Sequence, residues 1–366
     1  MPQTFAAAVT SSSVPASTPI ATATRAASPT ATPSPSPSPN AFAYSDTNYI
    51  GIANGQEWPT NFRPYCENAT ANVTAPCPWN DPLPDNPGQS YPNSVSIVAS
   101  MFASADRIAL PGDFNLADDS GHPVYLASTT DPVVTVNCTA YCGVRTANIH
   151  IPVLARPATG SDHHMGIIQP DGSEYDFYGS SYAGSSPTTT TGLYLTSILG
   201  SGQMPGGGAT SGGALAAGII RFDELARGVI PHALSVSANC ASGAVVYPGG
   251  SQALVCTNGT GPPVGARIQL TLTDAQINAL QLLPWEKTIL HALHDYGAYV
   301  MDTNGDGIAL GLEFEPTTQF AAYSQSYPIY NYPTIIPNIA GFDTAIDWAH
   351  HLRIVSPCYA QETCTQ

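Results

Sequence analysis

The fold is signalled most clearly by residues 164–178, HMGIIQPDGSEYDFY. Two runs rich in apolar and aromatic side chains, His164–Gln169 and Glu174–Tyr178, flank the turn Pro170-Asp171-Gly172. Proline presets the turn, and Asp-Gly supplies the positive φ that a tight reversal needs. The segment therefore predicts a β-hairpin.

Short runs of the same kind recur elsewhere in the chain, separated by turn residues. They are Pro132–Asn137, Asn148–Leu154, His232–Ala238 and Ala266–Thr273. Their number favours a mainly β fold, and we expect a jelly-roll-like β-sandwich with one or two helices packed outside it.

One long helical pattern lies between Thr273 and Gly297. Thr273 or Asp274 is expected to cap its start, apolar residues at helical spacing form a buried face, and Gly297 ends it. Pro284 should break it into two pieces. Shorter helical segments are predicted at Asp343–Leu352 and Phe222–Arg227.

The first 45 residues are mostly Ser, Thr, Ala, Pro and Val, with the run PSPSPSP near their end. Such a segment buries too little surface to offset its chain entropy, and alternating proline keeps it extended. We predict a disordered stalk at 1–45 and a single globular domain at 46–366. The N-terminus lacks the basic and apolar regions of a signal peptide. It therefore does not explain how the chain would be secreted.

Eight cysteines fall into four close pairs, with no C-x-x-C spacing. Zinc fingers and thioredoxin-like sites prefer two-residue spacings, so the observed spacings disfavour metal and redox roles. The even number of cysteines favours four disulfides formed in an oxidising compartment. Sequence-local pairing is the simplest connectivity: Cys66–Cys77, Cys138–Cys142, Cys240–Cys256 and Cys358–Cys364. The chain is therefore expected to be extracellular, either secreted or held at the cell surface.

Acidic side chains dominate the charge. There are 26 Asp and Glu against 10 Lys and Arg, which gives a net charge of −16. This charge disfavours nucleic acid and anionic membranes as partners. No apolar run reaches the roughly 18 residues of a membrane span. We expect a monomer whose partner is an extracellular glycan.

Short elements follow one another in a specific order over residues 77–305. They are Pro78-Trp79-Asn80, Pro92-Asn93-Ser94, Asp162-His163-His164-Met165, Tyr175-Asp176, Gly218–Glu224, Ile230–Leu234, Gly265–Ile268, Ile289–Leu293 and Tyr296-Gly297. This series resembles a group of uncharacterised secreted bacterial proteins. The chain departs from the group after Val246, where it has a Gly-Gly loop flanked by two cysteines. The resemblance implies one extracellular domain and supplies no reaction.

Several residues in these elements suit acid–base chemistry. A carboxylate beside a histidine, as in Asp162-His163-His164, holds the imidazole in one tautomer near neutral pH. If the strands that begin at His164 and His232 are neighbours, both imidazoles and nearby acids would converge. The predicted catalytic residues are His164, His232, Glu224, Tyr175, Asp176 and Asp162.

This set of side chains suggests cleavage of carbohydrate. A histidine, a tyrosine and a carboxylate suit a polysaccharide lyase, and two acids such as Asp176 and Glu224 suit glycoside hydrolysis. We expect a secreted carbohydrate-cleaving enzyme, a lyase or a glycoside hydrolase, that requires no cofactor. A non-catalytic glycan-binding or cell-surface module and an acid-active secreted peptidase remain open, as do ordinary structural roles for these residues.

A possible calcium site lies at residues 302–313. The side-chain ligand positions and the glycine of an EF-hand loop are matched by Asp302, Asn304, Asp306, Gly307 and Glu313. An EF-hand needs flanking helices, whereas the segments on either side have the character of strands. Structural calcium and a plain β-hairpin turn are therefore both open.

Other candidates have simpler interpretations. Exposed tyrosines stack on sugars, but Tyr323, Tyr327, Tyr330 and Tyr332 would equally pack a proline-rich loop. The pairs His291 with His294 and His350 with His351 have no third metal ligand visible in sequence. Thr210-Ser211 lacks an adjacent base, so a serine hydrolase is disfavoured.

Overall fold

The structure is a computed structural model. It describes residues 65, 77–104, 107–109, 122–153, 155–158, 161–180, 188–204, 208, 210–304, 308–312 and 344–364. All of them belong to one compact unit, Pro37–Gln366. The predicted stalk at 1–45 lies outside the described residues.

The first of two sheets has six strands and mixes parallel with antiparallel pairs. In spatial order they are β1 (Arg107–Ala109), β11 (Ile308–Leu312), β8 (Leu234–Ala238), β10 (Ala298–Thr303), β9 (Arg267–Leu270) and β12 (Leu352–Ile354). The pairs β1–β11 and β8–β10 are parallel, and the other three are antiparallel.

The second sheet also has six strands. In spatial order they are β2 (Val124–Leu126), β5 (Met165–Ile168), β6 (Ser173–Tyr178), β7 (Thr189–Ser197), β3 (Val133–Cys142) and β4 (Thr146–His150). The predicted hairpin is β5–β6. The Gln169 N–H donates to the Ser173 carbonyl at 2.7 Å, and Gly172 has φ +84°. The turn residues therefore act as the sequence predicted.

Helices cover a smaller part of the described chain. They are α1 (Ser94–Ser104), α2 (Phe222–Arg227), α3 (Asp274–Ala279), α4 (Pro284–Asp295) and α5 (Trp348–His351). Thr273 caps α3 in a reciprocal pair with Gln276, and Pro284 is the first residue of α4, so the predicted cap and break are confirmed. Helix α1 was not predicted. None of the helices in the described part of the chain is long and apolar enough to cross a membrane.

Three apolar clusters form the core. The first packs the first sheet against α1, α3 and α4. The second joins residues of both sheets, among them Leu126 and Ile168 of the second sheet and Tyr299 of the first. The third covers the opposite face of the second sheet and contains Phe177 and Leu193. The mainly β class is thereby confirmed, and the sandwich arrangement stays a prediction.

Three of the predicted disulfides are present. They join Cys138 to Cys142, Cys240 to Cys256 and Cys358 to Cys364. The fourth predicted pair includes Cys66, which lies outside the described residues. The bonds are consistent with an oxidising, extracellular location.

The predicted hairpin at 302–313 is not formed. Strands do flank this segment, as expected, but β10 and β11 are not neighbours because β8 lies between them. Strand β8 pairs with β10 in parallel and with β11 antiparallel. The segment therefore connects two strands across a third.

Candidate functional site

The candidate site lies on one face of the second sheet. Side chains alternate along a strand, so Glu174, Asp176 and Tyr178 of β6 point to the same face. Tyr178 is paired with Gly192 of β7, and Gly192 is paired in turn with Tyr141 of β3. This register brings tyrosines from the two strands that flank β7 to one level of the sheet.

Aromatic rings form a continuous series at this level. The ring centroids of His122 and His164 are 5.0 Å apart, those of His164 and Tyr178 are 5.7 Å apart, and those of Tyr178 and Tyr141 are 6.1 Å apart. Both imidazoles are buried, whereas Tyr141 is 63% exposed. Burial, and then the charge of His164, lowers the pKa of His122, so His122 is neutral at neutral pH. The series therefore runs from a buried end to an exposed end.

Gly192 leaves room for a third tyrosine ring. A Cβ atom at Gly192 would lie 3.0 Å from the Tyr194 ring and 3.1 Å from Cβ of Tyr178. Burial, followed by neighbouring charges, raises the pKa values of Tyr178 and Tyr194, so both phenols keep their protons near neutral pH. Tyr141, Tyr178 and Tyr194 are called the tyrosine row below.

Asp162 lies beside the tyrosine row and is exposed. Its backbone carbonyl accepts a hydrogen bond of 2.7 Å from the N–H of Gly179, which fixes it next to Tyr178. After burial, the Asp162 charge is the largest cause of the raised pKa of Tyr178. The same charge contributes to the raised pKa of Asp302. The Asp162 charge therefore acts on both groups.

Asp302 is a partly buried carboxyl group near the end of β10. Its Oδ1 accepts hydrogen bonds from Ser211 Oγ at 3.3 Å and from the Thr303 N–H at 2.7 Å. Burial raises the pKa of Asp302 to about 6, against the lowering effect of these two hydrogen bonds. Asp302 therefore holds a proton in weakly acidic solution.

The predicted calcium loop lies only partly within the described residues. The Asn304 amide Nδ2 donates to Ser237 Oγ and to the Ile308 carbonyl, both at 3.3 Å. Asp302 is engaged by Ser211 and Thr303, as described above. The remaining loop positions, Asp306, Gly307 and Glu313, lie outside the described residues, so calcium binding stays a prediction.

Glu174 and Asp176 form a buried acid pair on the same face as Tyr178. Both are fully buried, and Glu174 Oε1 and Asp176 Oδ2 accept hydrogen bonds of 2.9 Å from the N–H groups of Ala216 and Leu215. Burial raises both pKa values, that of Asp176 to about 7, and the charge of Asp176 raises that of Glu174 further. Two carboxyl groups this close do not both ionise readily, so the pair retains a proton at neutral pH.

Glu224 and His232 belong to a different buried cluster. Glu224 Oε1 lies 2.7 Å from the Arg221 guanidinium and 3.0 Å from His232 Nε2. Burial alone would raise the pKa of Glu224, but the charge of Arg221, and then that of His232, lowers it overall. All three side chains are buried, so this cluster stabilises the start of α2 against the segment before β8.

The six predicted catalytic residues therefore do not share one site. Among the described contacts, His164 meets His122 and Tyr178, whereas His232 meets Glu224. Their strands, β5 and β8, lie in different sheets, so the condition under which the two imidazoles were expected to converge is not met. Tyr175 packs on the opposite face, against the third core cluster.

Three of the predicted residues do lie on or beside the candidate face: Asp162, His164 and Asp176. Sequence reasoning missed the tyrosine row and considered Asp302 only as a calcium ligand. The period-two pattern of β6 was a usable signal, because any face that carries Asp176 must also carry Glu174 and Tyr178.

The structure also describes some of the other residues that the sequence analysis considered. Ser211 donates to Asp302 and not to a histidine, which gives no support to a serine hydrolase. His350 pairs with Asp347 at 2.8 Å on the surface. The tyrosines from Tyr323 to Tyr332 lie outside the described residues.

Comparison of the chain with protein-family models, with curated protein sequences and with solved structures found no match. The functional interpretation therefore rests on the tyrosine row, on Asp162 beside it and on Asp302.

Proposed function

We propose that the chain is a secreted glycoside hydrolase that cleaves an extracellular polysaccharide. The observation that carries this proposal is the position of Asp162. Its side chain is exposed, its backbone carbonyl accepts a hydrogen bond from the N–H of Gly179 beside Tyr178, and its charge contributes to the raised pKa values of Tyr178 and Asp302. A carboxyl group with a raised pKa, a second, exposed carboxyl group and a row of aromatic rings are the elements that glycoside hydrolysis needs.

Asp302 acts as the general acid in this proposal. Its raised pKa keeps it protonated below about pH 6. It donates that proton to the glycosidic oxygen as the bond from this oxygen to the sugar C1 breaks. Asp162 then accepts a proton from the water whose oxygen bonds to C1, or bonds to C1 itself before water replaces it. Exchange with solvent restores both groups.

The tyrosine row binds the sugar. Tyr141 is 63% exposed and offers a ring face, and protonated Tyr178 and Tyr194 offer phenolic O–H donors to sugar hydroxyl groups. His164 is buried behind Tyr178, so it is a positioning residue that orients the phenol and does not touch substrate.

Charge favours a neutral polysaccharide as substrate. The net charge of −16 opposes a polyanion, and no member of the tyrosine row is a cation that would bind a uronate carboxylate. Hydrolysis therefore has better support than the lyase reaction, which requires a uronate.

A second candidate is a glycan-binding module without catalysis. The exposure of Tyr141, at the end of a ring series that spans neighbouring strands, favours it. An acid peptidase gains less support, because the acid pair of Glu174 and Asp176 is fully buried and does not reach a peptide.

The test is to incubate the purified full chain with neutral and uronate polysaccharides over a range of pH. We expect new reducing ends from a neutral glycan, with a rate that falls as pH rises through about 6, where Asp302 loses its proton. Asp302→Asn and Asp162→Asn should each lower kcat by at least roughly a hundredfold. The matched control is Asp347→Asn, which changes an exposed surface carboxylate and should keep full activity.

The same experiment distinguishes hydrolysis from a lyase reaction, from glycan binding without catalysis and from peptidase activity. Ultraviolet absorbance from an unsaturated uronate would show a lyase and overturn hydrolysis. Binding to insoluble glycan without product would favour the module. Casein cleavage at acid pH that is lost in Asp176→Asn would favour the peptidase.

A further inference from the structure

A second cluster of chemically active side chains lies far along the chain from Asp162, where α3 and α4 approach each other. Asp274 is the first residue of α3, and His294 and Asp295 end α4. Each offers one ligand atom, and these atoms all lie within 4.8 Å of one another. Small rotations of these side chains would bring all three atoms to one metal ion, whose bonds to nitrogen and oxygen ligands are about 2.0–2.2 Å long.

The orientation of His294 is fixed by the backbone. Its side chain is only 6% exposed, and its Nδ1 lies 3.3 Å from the carbonyl oxygen of Leu270. In the tautomer that donates from Nδ1 to this carbonyl, the lone pair is on Nε2. An Nδ1–H bonded to a backbone carbonyl is a common outer-shell arrangement of metal-binding histidines. Asp85 Oδ1 lies 3.9 Å from Nε2, beyond hydrogen-bond length.

The Asp274 carboxylate is also held in place. His291 Nδ1 lies 2.8 Å from Asp274 Oδ1, and His291 Nε2 lies 3.3 Å from the Asn278 side-chain oxygen. A second histidine therefore orients the carboxylate from outside the cluster. The cluster also lies at the C-terminal end of α4, where the helix dipole favours a positive charge.

We propose that His294 Nε2, Asp274 and Asp295 bind one divalent transition-metal ion, with water in the remaining coordination positions. One imidazole nitrogen with carboxylate oxygens suits Zn²⁺ or Mn²⁺ better than Mg²⁺ or Ca²⁺, which prefer oxygen ligands throughout. The ion joins the start of α3 to the end of α4 and so fixes the two helix pieces that Pro284 separates. This inference is independent of the proposed hydrolase.

A similar surface pair supplies the matched control. His350 and Asp347 are also a histidine and an aspartate in contact, at 2.8 Å, and both are exposed. In the part of the chain that the structure describes, this pair belongs to no three-ligand cluster. A histidine next to an aspartate is therefore present in both places, and only the cluster with His294 adds a second carboxylate and a buried imidazole.

The test is calorimetric titration of the chelator-treated full chain with ZnCl₂, MgCl₂ and CaCl₂. We expect one equivalent of Zn²⁺ to bind, more tightly than Mg²⁺ or Ca²⁺. Asp274→Asn should weaken Zn²⁺ binding by at least about tenfold. Asp347→Asn should leave it unchanged. Because the Asp274 side chain is 68% exposed, its variant should keep the fold, which circular dichroism checks.

Two results would overturn the proposal. One is Zn²⁺ binding that is absent, or equal in Asp274→Asn and in the unaltered chain. The other is Mg²⁺ or Ca²⁺ binding that equals Zn²⁺ binding in affinity and is likewise weakened in Asp274→Asn, which would mark a non-specific acidic patch. Co²⁺ in place of Zn²⁺ gives a separate readout, because its visible absorption should change on binding and this change should be lost in His294→Asn.

Discussion

Protonation of the acid pair Glu174–Asp176 should make the protein more stable in acid than at neutral pH. The folded state raises the pKa of Asp176 from 3.8 to about 7 because the carboxyl group is fully buried. Between these values the unfolded chain releases a proton that the folded chain keeps. The contribution of this carboxyl group to the free energy of unfolding is therefore complete below about pH 4 and is lost as pH rises through about 7.

The size of the effect follows from the shift. Roughly three pH units at about 1.4 kcal/mol per unit give a loss of about 4 kcal/mol between pH 4 and pH 7. Glu174, whose pKa is also raised, adds to the loss in the same direction. This is a large fraction of the roughly 5–15 kcal/mol by which folded proteins are stable.

Urea denaturation at a series of pH values measures this loss, and Asp176→Asn isolates the part that belongs to the acid pair. Asparagine mimics the protonated acid: its oxygen still accepts from the Leu215 N–H. The variant should match the unaltered chain near pH 4 and exceed its stability at pH 8. Asp85→Asn, at a side chain that is 96% exposed, is the control and should follow the unaltered chain throughout. Parallel curves for Asp176→Asn and the unaltered chain would refute the reasoning.

Two further changes test the scaffold. Glu224→Gln removes the carboxylate that Arg221 and His232 share in a buried position, so we expect a loss of about 3–5 kcal/mol in urea denaturation; a loss no larger than that of an exposed glutamate variant would contradict the role of this cluster. Gly212→Ala adds a Cβ 2.5 Å from the Gly250 Cα at a residue with φ +82°, so we expect a loss of at least about 2 kcal/mol. An unchanged unfolding midpoint would show that the backbone adjusts, with Gly88→Ala, where nothing lies within 4 Å, as the control.

Local chemistry allowed part of the fold to be predicted from the sequence. The β5–β6 hairpin, the cap at Thr273 and the break at Pro284 all follow from short-range rules about turns and helix ends. Helix α1 was missed because SVSIVASMFAS is rich in β-branched residues and serine, which favour other structures. Burial of Val98 and Met101 in the first core cluster accompanies its helical state, and this packing is not visible in the local sequence.

Pairing between distant segments was the main limit. Nothing near residues 302–313 indicates that β8 separates β10 from β11. The site was affected in the same way: Asp162 and His164 were recognised from their neighbours in the sequence, but the contacts of Asp302 with Ser211 and of His164 with Tyr178 arise only in the tertiary fold. Tyr175 was chosen in place of Tyr178 because the sequence did not show which face of β6 is covered by the third core cluster.

The pairing of β3 with β7 is irregular between Cys138 and Tyr141. The disulfide between Cys138 and Cys142 spans this irregularity. A small covalent ring thus anchors Tyr141, the exposed member of the tyrosine row, at a sheet position where the regular pairing is interrupted. Reduction of this disulfide by a thiol should loosen this part of the tyrosine row while the three core clusters remain packed. If the tyrosine row binds a polysaccharide as proposed, that binding would then be lost before the fold itself, so the proposed activity would depend on oxidising conditions.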